Sequence, residues 1–120
     1  MRIIIADDDE SVRKILVGYI KNFLKNAEID EVDDGLPLVE KIEKNHYDLV
    51  ITDNSMKKMD GLEATRIIRK FNSKIPIYMM SGDENKKDEA LIIGVTEFIY
   101  KPGGVKQIVD SLERMVGQNL

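Results

Sequence analysis

The chain has 120 residues, 42% of them hydrophobic and 33% charged, the size and balance of one globular domain. It has no cysteine, so neither a disulfide framework nor a thiolate metal site holds it together, and the composition suits a reducing cytoplasm. Its 18 basic and 22 acidic residues are mixed along the chain with a net charge of -4, which argues against a basic face for nucleic acid, and no apolar run reaches the roughly 18 residues of a membrane span.

The opening "MRIIIADDDE" is too short an apolar run for a signal peptide, and Ile3 to Ala6 predicts a strand that runs into Asp7, Asp8 and Asp9. Val12, Ile15, Leu16, Tyr19, Ile20, Phe23 and Leu24 then recur at three and four residues, the stripe of an amphipathic helix. A second strand covers Ile29 to Val32, where the charged alternation of "EIDEV" suits an edge. A helix follows around Leu38 to Lys44, with Pro37 acceptable in its first turn. The third strand, Leu49 to Asp53, reads like the first as buried on both faces, yet it delivers the chain straight into an aspartate.

After the loop "NSMKKMDG" a helix spans Leu62 to Phe71, with Asp60 and Glu63 at the spacing of a capping box. Ile75 to Met80 predicts the fourth strand, ending at Ser81, Gly82 and Asp83, and a weaker helix covers Lys87 to Ile93. Glu97 to Tyr100 is the fifth strand and leads into Lys101-Pro102, and Val105, Ile108, Val109, Leu112, Met115 and Val116 stripe a last helix. Five alternating strand and helix units predict a parallel sheet covered on both faces.

In such a sheet all strands end on one side, and ligands bind in the crevice outside those ends. Asp7, Asp8 and Asp9, Asp53, Ser81 and Asp83, and Lys101 would then share one rim. Carboxylates crowded in a half-buried crevice repel and lose hydration unless a cation joins them, and oxygen ligands select a hard one. Magnesium, which takes one or two carboxylates with waters and a phosphate oxygen, suits this set.

The stretches "ADDDE", "TDNSMKKMDG", "MMSG" and "FIYKP" resemble, in order and across essentially the whole chain, the signature loops of the receiver domain of two-component response regulators, the chemotaxis-regulator-like family. The resemblance implies a flavodoxin-like (βα)5 three-layer sandwich with sheet order 2-1-3-4-5, and a single receiver domain over 1–120. It implies that Asp53 is the phosphoacceptor, a carboxylate nucleophile toward a phosphohistidine, and that the metal is Mg2+, with Mn2+ as a substitute. By the same resemblance Asp8 and Asp53 ligate the metal directly, Asp7 acts mainly through a bound water, and the backbone carbonyl of Ser55 adds an oxygen. Lys101 and Ser81 would contact the phosphoryl group, with Gly82 leaving room beside it, Phe98 would be the switch aromatic, and the Lys101-Pro102 bond would be cis. Ser55 and Asp83 would border the approach of hydrolytic water and tune dephosphorylation.

The implied function is a stand-alone cytoplasmic switch, phosphorylated by a sensor histidine kinase or phosphotransfer protein and acting on a downstream protein target, as a monomer or a weak phosphorylation-dependent dimer. It is not an enzyme beyond assisting its own phosphorylation and dephosphorylation. A receiver cut from a longer regulator, or a non-phosphorylated interaction module, are the alternatives. A haloacid-dehalogenase-type phosphohydrolase would need a second aspartate at Ser55, and a flavin binder would not place three acids after its first strand.

Plainer roles compete at several positions. Asp9 suits the cap of the first helix, Ser81 and Glu84 have capping-box spacing, Phe98 could simply pack, and His46, the only histidine, lies away from the rim with no assigned chemistry. Lys57 stands where the family commonly has proline, which should loosen that loop. Gly103 replaces an aromatic, and with Gly104 it should soften the start of the last helix.

Overall fold

The computed structural model describes residues 1–101 and 104–119. The elements are β1 (Arg2–Ala6), α1 (Glu10–Phe23), β2 (Glu28–Val32), α2 (Gly35–Lys44), β3 (Leu49–Asp53), α3 (Gly61–Phe71), β4 (Ile77–Ser81), α4 (Lys87–Ile93) after a 3-10 turn at Glu84–Lys86, β5 (Glu97–Tyr100) and α5 (Gly104–Asn119). All strand pairs are parallel, in the order β2-β1-β3-β4-β5. This is the expected flavodoxin-like fold.

The apolar runs of β1 and β3 serve two cores at once, because alternate residues of a strand face opposite sides of the sheet. Ile4 and Val50 join Leu38, Val39 and Ile42 of α2 and Leu62 and Ile68 of α3 on one face. Ile3, Ile5, Leu49 and Ile51 join Leu16 and Ile20 of α1 and Ile108 and Leu112 of α5 on the other. A strand covered on both sides has no solvent face, so its sequence shows no polar alternation. β2, at the edge, keeps its charges.

One expectation is corrected. β4 begins at Ile77 rather than Ile75 and extends to Ser81. Pro76 has no N–H to give the ladder, and its carbonyl alone joins, accepting from Val50 N at 2.9 Å. In α1 the seven-residue stripe is wider than the strip the sheet covers: Leu16 and Ile20 are fully buried, whereas Ile15 and Tyr19 are 48% and 51% exposed. The side chains of Phe23, Val105, Met115 and Val116 lie outside the described residues.

The helices start where local chemistry allows. Asp9 caps α1 by accepting from Ser11 N, Asp34 caps α2 by accepting from Gly35 N, and Asp60 caps α3 by accepting from Glu63 N. With Asp9 engaged at the helix, Asp7 and Asp8 are left for the crevice.

Candidate functional site

The carboxyl ends of β1 and β3 are neighbours because Ala6 pairs with Thr52, one residue before each acid. Asp7 is 1% exposed and Asp53 2%, while Asp8 is open to solvent. One ligand oxygen from each of Asp7, Asp8 and Asp53 lies within 4.8 Å of the others. Backbone bonds fix the two buried acids: Asp7 N donates to Val32 O at 3.1 Å, and Asn54 N donates to Met80 O at 2.8 Å. Lys101 Nζ reaches in from the end of β5 to 2.9 Å from Asp53 Oδ1.

Asp7 Oδ1 accepts from Asp9 N at 2.9 Å, but Asp7 Oδ2 is buried without a hydrogen-bond partner among the described residues. Burial first, and then the neighbouring charges of Asp53 and Asp8, push the Asp7 carboxyl up to about 6 against the opposing pull of the Asp9 amide and Lys101. The Asp53 carboxyl is raised too, by burial above all and by Asp8, with the Lys101 ammonium opposing. For Lys101 burial favours the neutral amine, but Asp53, Asp7 and Asp8 outweigh it and raise its pKa. A buried carboxylate oxygen with no donor, beside two further carboxylates, fits a divalent cation with hard-oxygen preference.

The other predicted residues surround this centre. Ser81 is the buried last residue of β4, one position beyond Met80, the partner of Asp53 in the ladder. Its hydroxyl accepts from Asp83 N at 3.1 Å. The Ser81–Glu84 capping box does not form, because Asp83 takes the cap of the 3-10 turn by accepting from Asn85 N at 3.0 Å. A Cβ at Gly82 would meet no atom within 4 Å, so the space beside Ser81 is open. Ser55 is exposed, just past buried Asn54. Phe98 is half-buried against the α2–α3 side of the core. His46 pairs with Asp48 at the other end of β3. The Lys101-Pro102 bond and Gly103 lie outside the described residues.

Two sets of supporting residues had no signature in the linear spacing. Arg13 donates through Nη1 to Asp7 O at 2.7 Å and through Nε to Glu31 at 3.1 Å, bracing the acid loop against β2. The loop after β3 is fastened at both ends: Asn54 O accepts from Gly61 N at 2.9 Å, Asn54 Oδ1 accepts from Leu62 N at 3.0 Å, and Asp34 accepts from Lys58 N and Met59 N at 2.9 and 2.8 Å. These hydrogen bonds restrain the loop at positions other than Lys57, which lacks the fixed φ of a proline ring. Gly61 is required by contact: a Cβ there would sit 2.6 Å from Asp53 O.

A parallel sheet of this order with acids and a lysine at its carboxyl edge defines a class, and comparison with known proteins agrees. A model of the response regulator receiver domain matches residues 3–113, and the chain belongs to that family, whose members are signalling phosphoacceptor modules rather than substrate-turning enzymes. It is 36% identical over 104 residues to the sensor protein EvgS of Escherichia coli strain K12, covering 85% of this chain and 8% of that protein. It thus spans a small part of that relative's length. Chemotaxis response regulator CheY4 of Vibrio cholerae superposes with a TM-score of 0.80 at 26% identity, covering 94% of this chain and 96% of that one. Response regulator TrrA of Thermotoga maritima, solved in complex with Mg(2+)-BeF, superposes at 0.82 with 24% identity over 94% and 96%. No helix among the described residues is long and apolar enough to cross a membrane.

Proposed function

We propose that this chain is one receiver unit in which Asp53 accepts a phosphoryl group from a phosphohistidine of a sensor kinase or phosphotransfer protein. A carboxylate oxygen of Asp53 forms the bond to phosphorus while the bond to the donor imidazole nitrogen breaks, and that nitrogen leaves with the electron pair. The supporting observation is the placement of Asp53: buried at a strand end, 2.9 Å from Lys101 and within ligand reach of Asp7 and Asp8.

Asp7, Asp8 and Asp53, with the Ser55 carbonyl, would hold magnesium, the ion with which the Thermotoga relative was solved. When bound, that ion offsets negative charge on the carboxylates and on the incoming phosphoryl group. Lys101 neutralises Asp53 before transfer and a phosphoryl oxygen after it. The Ser81 hydroxyl, which now donates to Asp83 O at 3.3 Å, gains a better acceptor once the phosphoryl group arrives. Its movement carries the loop after β4 with it, and Phe98 packs further inward, altering the face offered to a downstream protein.

Incubation with magnesium and acetyl phosphate, followed by intact mass, should show one added phosphoryl group on the parent and none on Asp53→Asn or in excess chelator. Full modification of Asp53→Asn, or of the parent without a divalent cation, would overturn the assignment.

A further inference from the structure

We propose that Asp34 is a positioning residue for cation binding: its buried carboxylate, across the crevice from the acids, holds in register the loop that carries the Ser55 carbonyl. This rests on the reading of Ser55 as a ligand given above. Asp34 is 8% exposed, and both its oxygens accept from backbone amides. Oδ1 accepts from Gly35 N at 2.7 Å and Met59 N at 2.8 Å, and Oδ2 accepts from Lys58 N at 2.9 Å. Gly35 N also donates to Met59 O at 3.1 Å. A Cβ at Gly35 would lie 2.5 Å from Met59 O, so the start of α2 and the tip of the loop are in close backbone contact.

The other end of the loop is anchored at Asn54, whose N, O and Oδ1 are all bonded. Ser55 therefore lies in a short span pinned at Asn54 on one side and at Lys58 on the other. Without the Asp34 bonds the tip keeps only the Gly35 N to Met59 O bond beside the Asn54 pin, and Lys57 brings no fixed φ to compensate. The clamp borders the site itself, because Asp8, Asp34, Pro37, Lys57 and Lys58 line one cavity of about 290 Å³. Three amide donors already occupy most of the acceptor capacity of this carboxylate, so Asp34 acts through the loop rather than as a ligand.

The test is the magnesium dissociation constant of the unphosphorylated protein, by calorimetry, with amide shifts of residues 55–59 read by NMR. Asp34→Ala should weaken magnesium binding by about 10- to 100-fold, as loss of a residue supporting a ligand does, and should shift those amides. Asp34→Asn, which keeps one acceptor, should fall between Asp34→Ala and the parent. Leu112→Ala, a core deletion in the opposite layer, should lower stability and leave the constant unchanged. An unchanged constant in a folded Asp34→Ala, or in Asp34→Asn should the alanine variant not fold, overturns the proposal. Equal weakening in Leu112→Ala also overturns it, since the effect would then be general loosening. Absence of magnesium binding by the parent, or binding unaffected by Asp53→Asn, overturns the site reading itself and this inference with it.

Discussion

Asp7 and Asp34 are two aspartates buried on the rim of one crevice, and their surroundings treat them oppositely. Asp7 has one oxygen satisfied and one without a partner among the described residues, with two further carboxylates close by, and its pKa is pushed up to about 6. Asp34 meets a burial penalty too, yet the amides of Met59, Lys58 and Gly35 together outweigh it and hold its pKa below the ordinary value. Burial makes the charge matter, and donors decide the sign of its effect. The first carboxylate holds an unfavourable charge, of the kind a divalent cation would relieve. The second uses its charge to secure the fold.

The contrast is broken most directly through stability. Asp34→Ala leaves the Lys58 and Met59 amides without acceptors and should destabilise the chain by about 2 to 4 kcal/mol in urea unfolding, at the cost expected for orphaned backbone donors. A loss too small to measure would mean that water or a shifted loop satisfies those amides just as well.

Asp7→Asn should act the other way in chelator, stabilising the cation-free chain at neutral pH by about 1 to 3 kcal/mol, since it removes a charge held at an unfavourable pKa. The sign follows from linkage. The folded form of Asp7 titrates near 6 and the unfolded form near 3.8, so between these values the folded chain binds more protons and gains stability as pH falls. The advantage of Asp7→Asn should therefore shrink as pH drops through about 6 and be gone below 3.8. Asp34 contributes in the opposite sense: its stabilisation is present above the unfolded value and lost as pH falls through the depressed folded one. Saturating magnesium should reverse the order of parent and Asp7→Asn in unfolding curves, and failure to reverse would remove Asp7 from the metal site.

The smallest effect is expected at the exposed edge of the site. Ser55→Arg, a bulky chain able to cover and pair with the phosphoryl group, should slow decay of the phosphorylated protein by about tenfold without preventing phosphorylation. Asp83→Ala should slow it less, if the Asp83 carboxylate orients water with the oxygen that Asn85 N leaves free. The measurement is phosphoprotein lifetime with magnesium present. Faster decay in Asp83→Ala would mean that this carboxylate hinders water instead.

Much of the site was legible from strand ends. A parallel sheet places every residue that follows a strand on one rim, so Asp7, Asp8, Asp53, Ser81 and Lys101 could be grouped before any geometry was known. The capping roles of Asp9 and Asp60 were equally local, since a cap and its amide lie within three residues. Ser81 shows the limit of that reasoning, because its spacing to Glu84 suited a capping box and the path of the chain after β4 gave the cap to Asp83 instead.

The linear pattern by itself determined five strands, five helices, their parallel arrangement and the acid-lined edge, because periodicity and strand termination depend on residues near one another in the chain. Tertiary structure alone decided which buried aspartate is satisfied and which is not. Asp34 finds its amides 24 and 25 residues away, and Lys101 meets Asp53 from a different strand. The exposure of Ile15 and Tyr19 was settled in the same way, by how wide a strip of α1 the sheet could cover. A contact between distant residues leaves no period in the sequence, since its energy depends on a separation that exists only once the chain has folded.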